Sequence, residues 1–233
     1  MRRWTADWVE LAERVERWLL PPECLACRRA LPPGVDDLVC GVCRSRWRAV
    51  PDPICPRCGT HAPLRLSCRV CPEWPPEFGP VRSAAHLDAG VRMLVHHFKY
   101  QGWQRLAASF ALRMAPLVQA IDPADLVPIP LSRRRRRQRG YNQAEELAVE
   151  IGRLVDYPVR PARLRRLRDT PTQTALTAEE RQANLAAAFA AAGERPAILI
   201  DDVFTTGATL VSAATALLAE GVPWVAAVTF ARA

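Results

Sequence analysis

From residue 80 onward, short apolar runs alternate with segments in which apolar residues recur every three or four positions. The runs predict strands at 81–87, 125–130, 197–200 and 224–230. The three-to-four spacing predicts helices at 89–100, 103–120, 142–156 and 207–220. Pro116 marks a kink inside the second of these. Asn142 caps the third, with Glu145 three residues on as a capping-box partner, and Thr177 with Glu180 repeats that device ahead of a helix at 181–188. Strand and helix in alternation predict a parallel sheet with helices on both faces, whose ligands bind beyond the carboxyl ends of the strands.

The first 22 residues read differently. Trp4, Trp8, Leu11, Val15 and Trp18 fall on one face of an amphipathic helix. Asp7, Glu10, Glu13 and Glu16 interrupt any apolar core of a secretory signal. No run of about 18 apolar residues occurs, so no membrane span is predicted, and the expected location is the cytoplasm.

Between the two regions lie all eight cysteines, in four C-x-x-C pairs: Cys24 and Cys27, Cys40 and Cys43, Cys55 and Cys58, Cys68 and Cys71. Each pair can present two thiolates to one metal, and two pairs complete a tetrahedral sulfur site. Four pairs make two sites and leave no cysteine over. Sequential pairing is the simplest arrangement, although spacing also permits a crossed one. Sites closed by four thiolates are structural, and His61, between pairs, reads as a loop residue. Disulfides compete, but nothing predicts export to an oxidising compartment. The domains expected are therefore a helix at 1–22, a double zinc ribbon at 23–75 and an α/β domain at 80–233, joined by the Pro-rich stretch 71–80.

The strand at 197–200 ends in Asp201 and Asp202, followed two residues later by Thr205, Thr206, Gly207, Ala208 and Thr209 at a helix start. Free N–H groups and the positive dipole end of a helix attract an anion, the threonines add donors, and glycine lets the backbone approach closely. Two carboxylates beside that cradle suit a vicinal diol. Phosphate at one end and diol at the other describe a ribose 5-phosphate. An ordinary helix cap explains Thr-Thr-Gly taken alone, but the full string is more specific. Leu131, Ser132 and Arg133 open a second segment, the arginine run 133–137, which leads through Gln138 to Arg139. A basic loop beyond a strand end suits a pyrophosphate.

The string AILIDDVFTTGATL resembles the phosphoribosyl pyrophosphate (PRPP) loop of type I phosphoribosyltransferases. That resemblance implies that Asp201 and Asp202 hold the ribose hydroxyls, that Thr205 to Thr209 hold the 5-phosphate, and that Leu131, Ser132 and Arg133, with Arg139 nearby, receive pyrophosphate. It also implies Mg²⁺ with PRPP and a flap at 164–181 that includes Thr172 and Gln173. The zinc knuckles, HFKYQG at 97–102, VPIPL at 127–131, RGYNQ at 139–143 and RDTPTQ at 168–173 together resemble the ComF family of competence-associated proteins, from Cys24 to the end of the chain. The family's fold implies a type I phosphoribosyltransferase domain behind a double zinc ribbon with two structural Zn²⁺. Its competence members imply uptake of single-stranded DNA alongside other DNA-uptake proteins.

The formal net charge is +8, almost all from arginine, since Lys99 is the only lysine. Two zinc tetrathiolates would lower it to about +4. A basic excess fits a solvated surface or a polyanionic partner. Two functions follow. In one, an enzyme transfers phosphoribose from PRPP to a nitrogenous acceptor, Asp201, Asp202 and Lys99 being the catalytic candidates, with segments 81–120 and 158–180 as its hood. In the other, a DNA-handling protein keeps the PRPP pocket. There the arginines bind phosphates, and Trp47 and Trp74 either stack on bases or pack over the knuckles.

Overall fold

Strands buried along most of their length build the centre of the molecule. In the computed structural model, which describes residues 23–32, 37–62, 68–167 and 188–233, the elements run in chain order. They are α1 (Gly41–Ser45), β1 (Phe78–His86), α2 (Ala89–Tyr100), α3 (Leu106–Gln119), β2 (Asp125–Pro128), α4 (Arg133–Arg139) and α5 (Gln143–Val155). After these come β3 (Leu164–Arg166), β4 (Phe189–Ala191), β5 (Ala197–Phe204), α6 (Ala208–Ala219) and β6 (Val225–Arg232). The predicted N-terminal helix, the Thr177 and Glu180 cap and the helix at 181–188, save Ala188, lie outside the described residues.

β1, β6, β5 and β2 form one sheet in that order, all neighbours parallel. Its two faces are buried under helices, as parallel sheets require. Ala197, Leu199, Val225 and Ala227 share a core with Leu210, Ala213, Ala214 and Leu217 of α6. On the opposite face Phe230 stacks on Phe110 of α3 at 3.7 Å, α3 packs against α5, and α5 covers β2 and β5. This is the α/β architecture expected from the alternation.

Contacts divide the chain into two units, Met1–Arg46 and Trp47–Ala233. The first four-cysteine group lies in the former. The second belongs to the latter, and Cys55, Cys58 and Cys71 sit in the same apolar core as Val81, Leu199 and Leu217.

Several boundaries differ from expectation for clear reasons. β5 continues past its apolar run through Asp201 and Asp202, because β6 pairs with it as far as Phe204↔Arg232 and backbone bonding is indifferent to side-chain charge. α3 begins at Leu106 rather than 103 and continues through Pro116. Asn142 does cap α5, its side chain accepting from Ala144 N–H, but Glu145 ion-pairs Arg136 at 2.9 Å instead of closing a capping box. The arginine run, expected as a loop, is a seven-residue helix. Ser132 caps it through Arg135 N–H, and Gly140 ends it with φ +80°. Arginine is a good helix former, and these side chains reach solvent without crowding the backbone.

β3 and β4 form an antiparallel pair outside the main sheet. Its base is held by Arg163, which bonds Asp125 Oδ2 at 2.9 Å and donates to the carbonyls of Ala192, Gly193 and Arg195. The expected flap at 164–181 thus begins as a strand. Its remainder, with Thr172 and Gln173, lies outside the described residues.

Candidate functional site

β2 and β5 are adjacent and parallel, so the segments leaving their carboxyl ends emerge side by side. Ile129 N–H donates to Ile200 O at 3.0 Å, and Asn142 Nδ2 donates to Ile129 O at 3.1 Å. The start of α5 is thereby tied to the strand end that carries the acids.

Asp202 is buried, and Asp201 is partly exposed beside it. Lys99, from the last turn of α2, reaches Asp202 Oδ1 at 3.0 Å. Asp202 Oδ2 is buried without a hydrogen-bond partner among the described residues. Asp201 accepts from Asp202 N–H at 2.8 Å. Burial raises its carboxyl affinity for protons and the Asp202 charge adds to that, while Lys99 opposes; the net effect pushes Asp201 up to about 7. Burial likewise pushes Tyr141 up to about 12, and its hydroxyl donates to Phe98 O, one residue before Lys99. An orphaned buried oxygen and a carboxyl pushed toward neutrality mark a place whose polar groups await partners.

Downstream, Thr205, Thr206 and Thr209 are exposed and Gly207 is buried. Gly207 has φ +82°, and a Cβ there would lie 2.9 Å from Phe204 Cζ and 3.1 Å from Trp74 Cζ2. Both the backbone angle and the space demand glycine. The predicted pyrophosphate segment is divided: Ser132 is buried as the α4 cap, while Leu131 is half-buried and Arg133 exposed. Arg139 lies over the Tyr100 ring at 4.8 Å and donates to its hydroxyl at 3.2 Å.

Lys99, Tyr100, Gly102, Arg135, Gln138 and Arg139 line a cavity of about 410 Å³. Lys99 joins this cationic cavity to the acid pair, so the structure gathers Asp201, Asp202, Lys99 and Arg139 in one neighbourhood. Arg135 and Gln138 belong to the basic segment expected to suit a pyrophosphate, whereas Tyr100, quoted only within HFKYQG, had no role assigned. The signal available was the run HFKYQG, whose aromatic and lysine stand at a helix end. Trp47 and Trp74 are buried, Trp47 edge-on to Phe110 and Phe230 and Trp74 stacked on Phe78, so neither offers a face to a base.

The cysteines group sequentially, Cys24, Cys27, Cys40 and Cys43 in one cluster and Cys55, Cys58, Cys68 and Cys71 in the other, with all sulfurs of a group within 4.8 Å of one another. Sulfur separations of 3.8, 3.8 and 3.4 Å are close to the ~3.8 Å edge of a tetrahedron with ~2.3 Å zinc–sulfur bonds. Backbone N–H groups of Cys40, Cys43 and Val70 point at sulfurs, as thiolates require. The donor sets fit two structural zinc ions, and His61 bonds Pro51 O instead of a metal. No helix among the described residues is long and apolar enough to cross a membrane.

Residues 15–72 match the model of the double zinc ribbon domain. Over longer spans the chain is 31% identical to "Competence protein F" of Haemophilus influenzae, covering 80% of this chain and 86% of that protein. It is 30% identical to "DNA utilization protein YhgH" of Escherichia coli K12, over 87% and 93%, and 30% identical to "Competence protein ComFC" of Bacillus subtilis, over 80% of each. With both cysteine groups assembled and such likeness running through ribbon and sheet alike, the chain belongs to the ComF family.

Proposed function

We propose that this is a cytoplasmic PRPP-binding protein that handles single-stranded DNA during uptake. The observation that carries the PRPP half is the Asp201–Asp202 pair at the end of β5, with Lys99 on Asp202 and the Gly207 turn opening α6. In this reading the carboxylates accept from the ribose hydroxyls. The 5-phosphate sits on the first N–H groups of α6 and the hydroxyls of Thr205, Thr206 and Thr209. Lys99 leaves Asp202 for the pyrophosphate, which extends toward Arg139 and the segment Leu131–Ser132–Arg133. Mg²⁺, when bound, supplies charge neutralisation for the pyrophosphate and ribose oxygens.

The DNA half is supported by the names of the relatives and by α4. Arg133, Arg134, Arg135 and Arg137 are exposed there, while Arg136 is engaged by Glu145. Tyr100, 62% exposed, and Trp103, 39% exposed, replace Trp47 and Trp74 as aromatics able to stack on bases.

Calorimetry with PRPP and Mg²⁺ tests the pocket. Asp201→Asn with Asp202→Asn should lose charge-assisted bonds worth about 1.5–3 kcal/mol each, and Thr206→Val should lose less because the backbone donors remain. Ribose 5-phosphate, lacking pyrophosphate, should bind more weakly. No PRPP binding at millimolar ligand would reduce the loop to a helix cap.

A further inference from the structure

Three features outside the acid pair bear on it: the second cysteine group, Arg232 and the two rings beneath Gly207. Arg232, near the end of the chain, donates to Cys58 O at 3.0 Å and to Thr60 Oγ1, which itself lies 3.0 Å from Cys58 Sγ. The same guanidinium sits 3.9 Å over the ring of Phe204, the last residue of β5 before the Thr205–Thr209 turn. Trp74 approaches Phe204 with ring centroids 6.2 Å apart. Its backbone N–H donates to Cys71 O at 3.4 Å, and Arg57 clamps that turn by donating to Cys71 O at 3.0 Å and Trp74 O at 2.9 Å. Both rings lie close under Gly207: a Cβ there would lie 2.9 Å from Phe204, too near to fit, and 3.1 Å from Trp74. The anion loop therefore rests on a floor whose two supports begin at Cys58 and Cys71, ligands of one metal group.

From this we infer that the second zinc site and the anion loop are energetically coupled, with Arg232, Phe204 and Trp74 as positioning residues between them. The inference rests on the PRPP reading of the loop. It adds that zinc held by Cys55, Cys58, Cys68 and Cys71 orients the loop amides, whereas the zinc of the first group, in the separate unit Met1–Arg46, has no part in it. Coupling of this kind is reciprocal in binding free energy: whatever the metal does for ligand affinity, the ligand does for metal affinity, and tighter holding shows chiefly as slower release.

The test follows zinc release from the full chain to a chromogenic zinc chelator, with Mg²⁺ present. Elemental analysis first establishes two zinc ions per chain. Cys27→Ser and Cys68→Ser, each removing one ligand, assign the release phases. Saturating PRPP should slow release from the second group by about fivefold or more and leave the first unchanged. Phe204→Leu, which keeps apolar volume but not the ring faces, should retain both zinc ions and lose the protection. Unaltered release from the second group, in protein that calorimetry shows to bind PRPP, overturns the inference.

If PRPP does not bind, the PRPP reading falls separately and the strut is judged without ligand. Arg232→Met should then speed zinc loss from the second group by about fivefold, with Arg232→Lys restoring part of the retention. Unchanged loss in Arg232→Met overturns the inference on that arm.

Discussion

Replacing Lys99 by Met keeps most of the stem and removes the one cation that, among the described residues, contacts the acid pair. The ammonium stands 3.0 Å from Asp202 Oδ1, with side-chain exposures of 22% for Lys99 and 7% for Asp202. Removing one partner of a fully buried pair costs about 3–5 kcal/mol. Lys99 retains some contact with water, so about 1–3 kcal/mol is the fair expectation near pH 7. The cost should depend on pH in a defined direction. Asp201 already stands at about 7 with Lys99 lowering it, so the variant's pair must hold a proton to higher pH. Between the wild-type and variant midpoints the folded variant binds one more proton than its unfolded chain. Its stability therefore falls by up to about 1.4 kcal/mol per pH unit while the wild type stays flat. Urea denaturation of both proteins from pH 6 to pH 9 reads this directly. A destabilisation that is constant across that range would refute the coupling of Lys99 to both carboxylates.

Asp201→Asn should stabilise the protein where the wild type carries a disfavoured charge. A raised acid destabilises as pH rises from its unfolded value through about 7, so the gain in melting temperature should be full above pH 7 and vanish near pH 4; a gain that is largest in acid would contradict it. Arg163→Met strands buried Asp125, with only Arg195 Nε at 3.5 Å to compensate among the described residues, and strips the carbonyls of Ala192, Gly193, Arg195 and Pro196 of a donor. About 3–5 kcal/mol should be lost in urea titrations, and a loss under about 1 kcal/mol would show that the base of the β3–β4 pair is not held this way. Changing Arg133, Arg134, Arg135 and Arg137 to Ser should weaken binding to single-stranded DNA and reduce the slope of log affinity against log salt by about 0.7 for each phosphate contact removed; an unchanged slope places the DNA elsewhere.

How much of this was legible in the chain depends on whether the information was local. α2 has the bounds that its spacing predicts, because Asp88 caps one end and the apolar stripe fixes the face. The two metal groups could be read because a C-x-x-C turn makes half of a tetrahedron by itself, and the acid pair followed by Thr-Thr-Gly-x-Thr is one continuous segment. Tertiary structure decided what brings distant residues together. Strand order β1–β6–β5–β2 comes from shape matching between faces, which no single strand encodes. Sequential rather than crossed pairing of the cysteines is likewise a matter of position. The arginine run is a helix because Ser132 and Gly140 cap it where the strand end and α5 fix its ends, although charge alone suggested a loop. Lys99 meets Asp202 across 103 residues, and Arg232 meets Cys58 across 174, through long-range packing on which periodicity is silent. Trp47 and Trp74 are core rather than surface for the same reason: a large ring goes where a neighbouring element leaves room, and that room belongs to the fold.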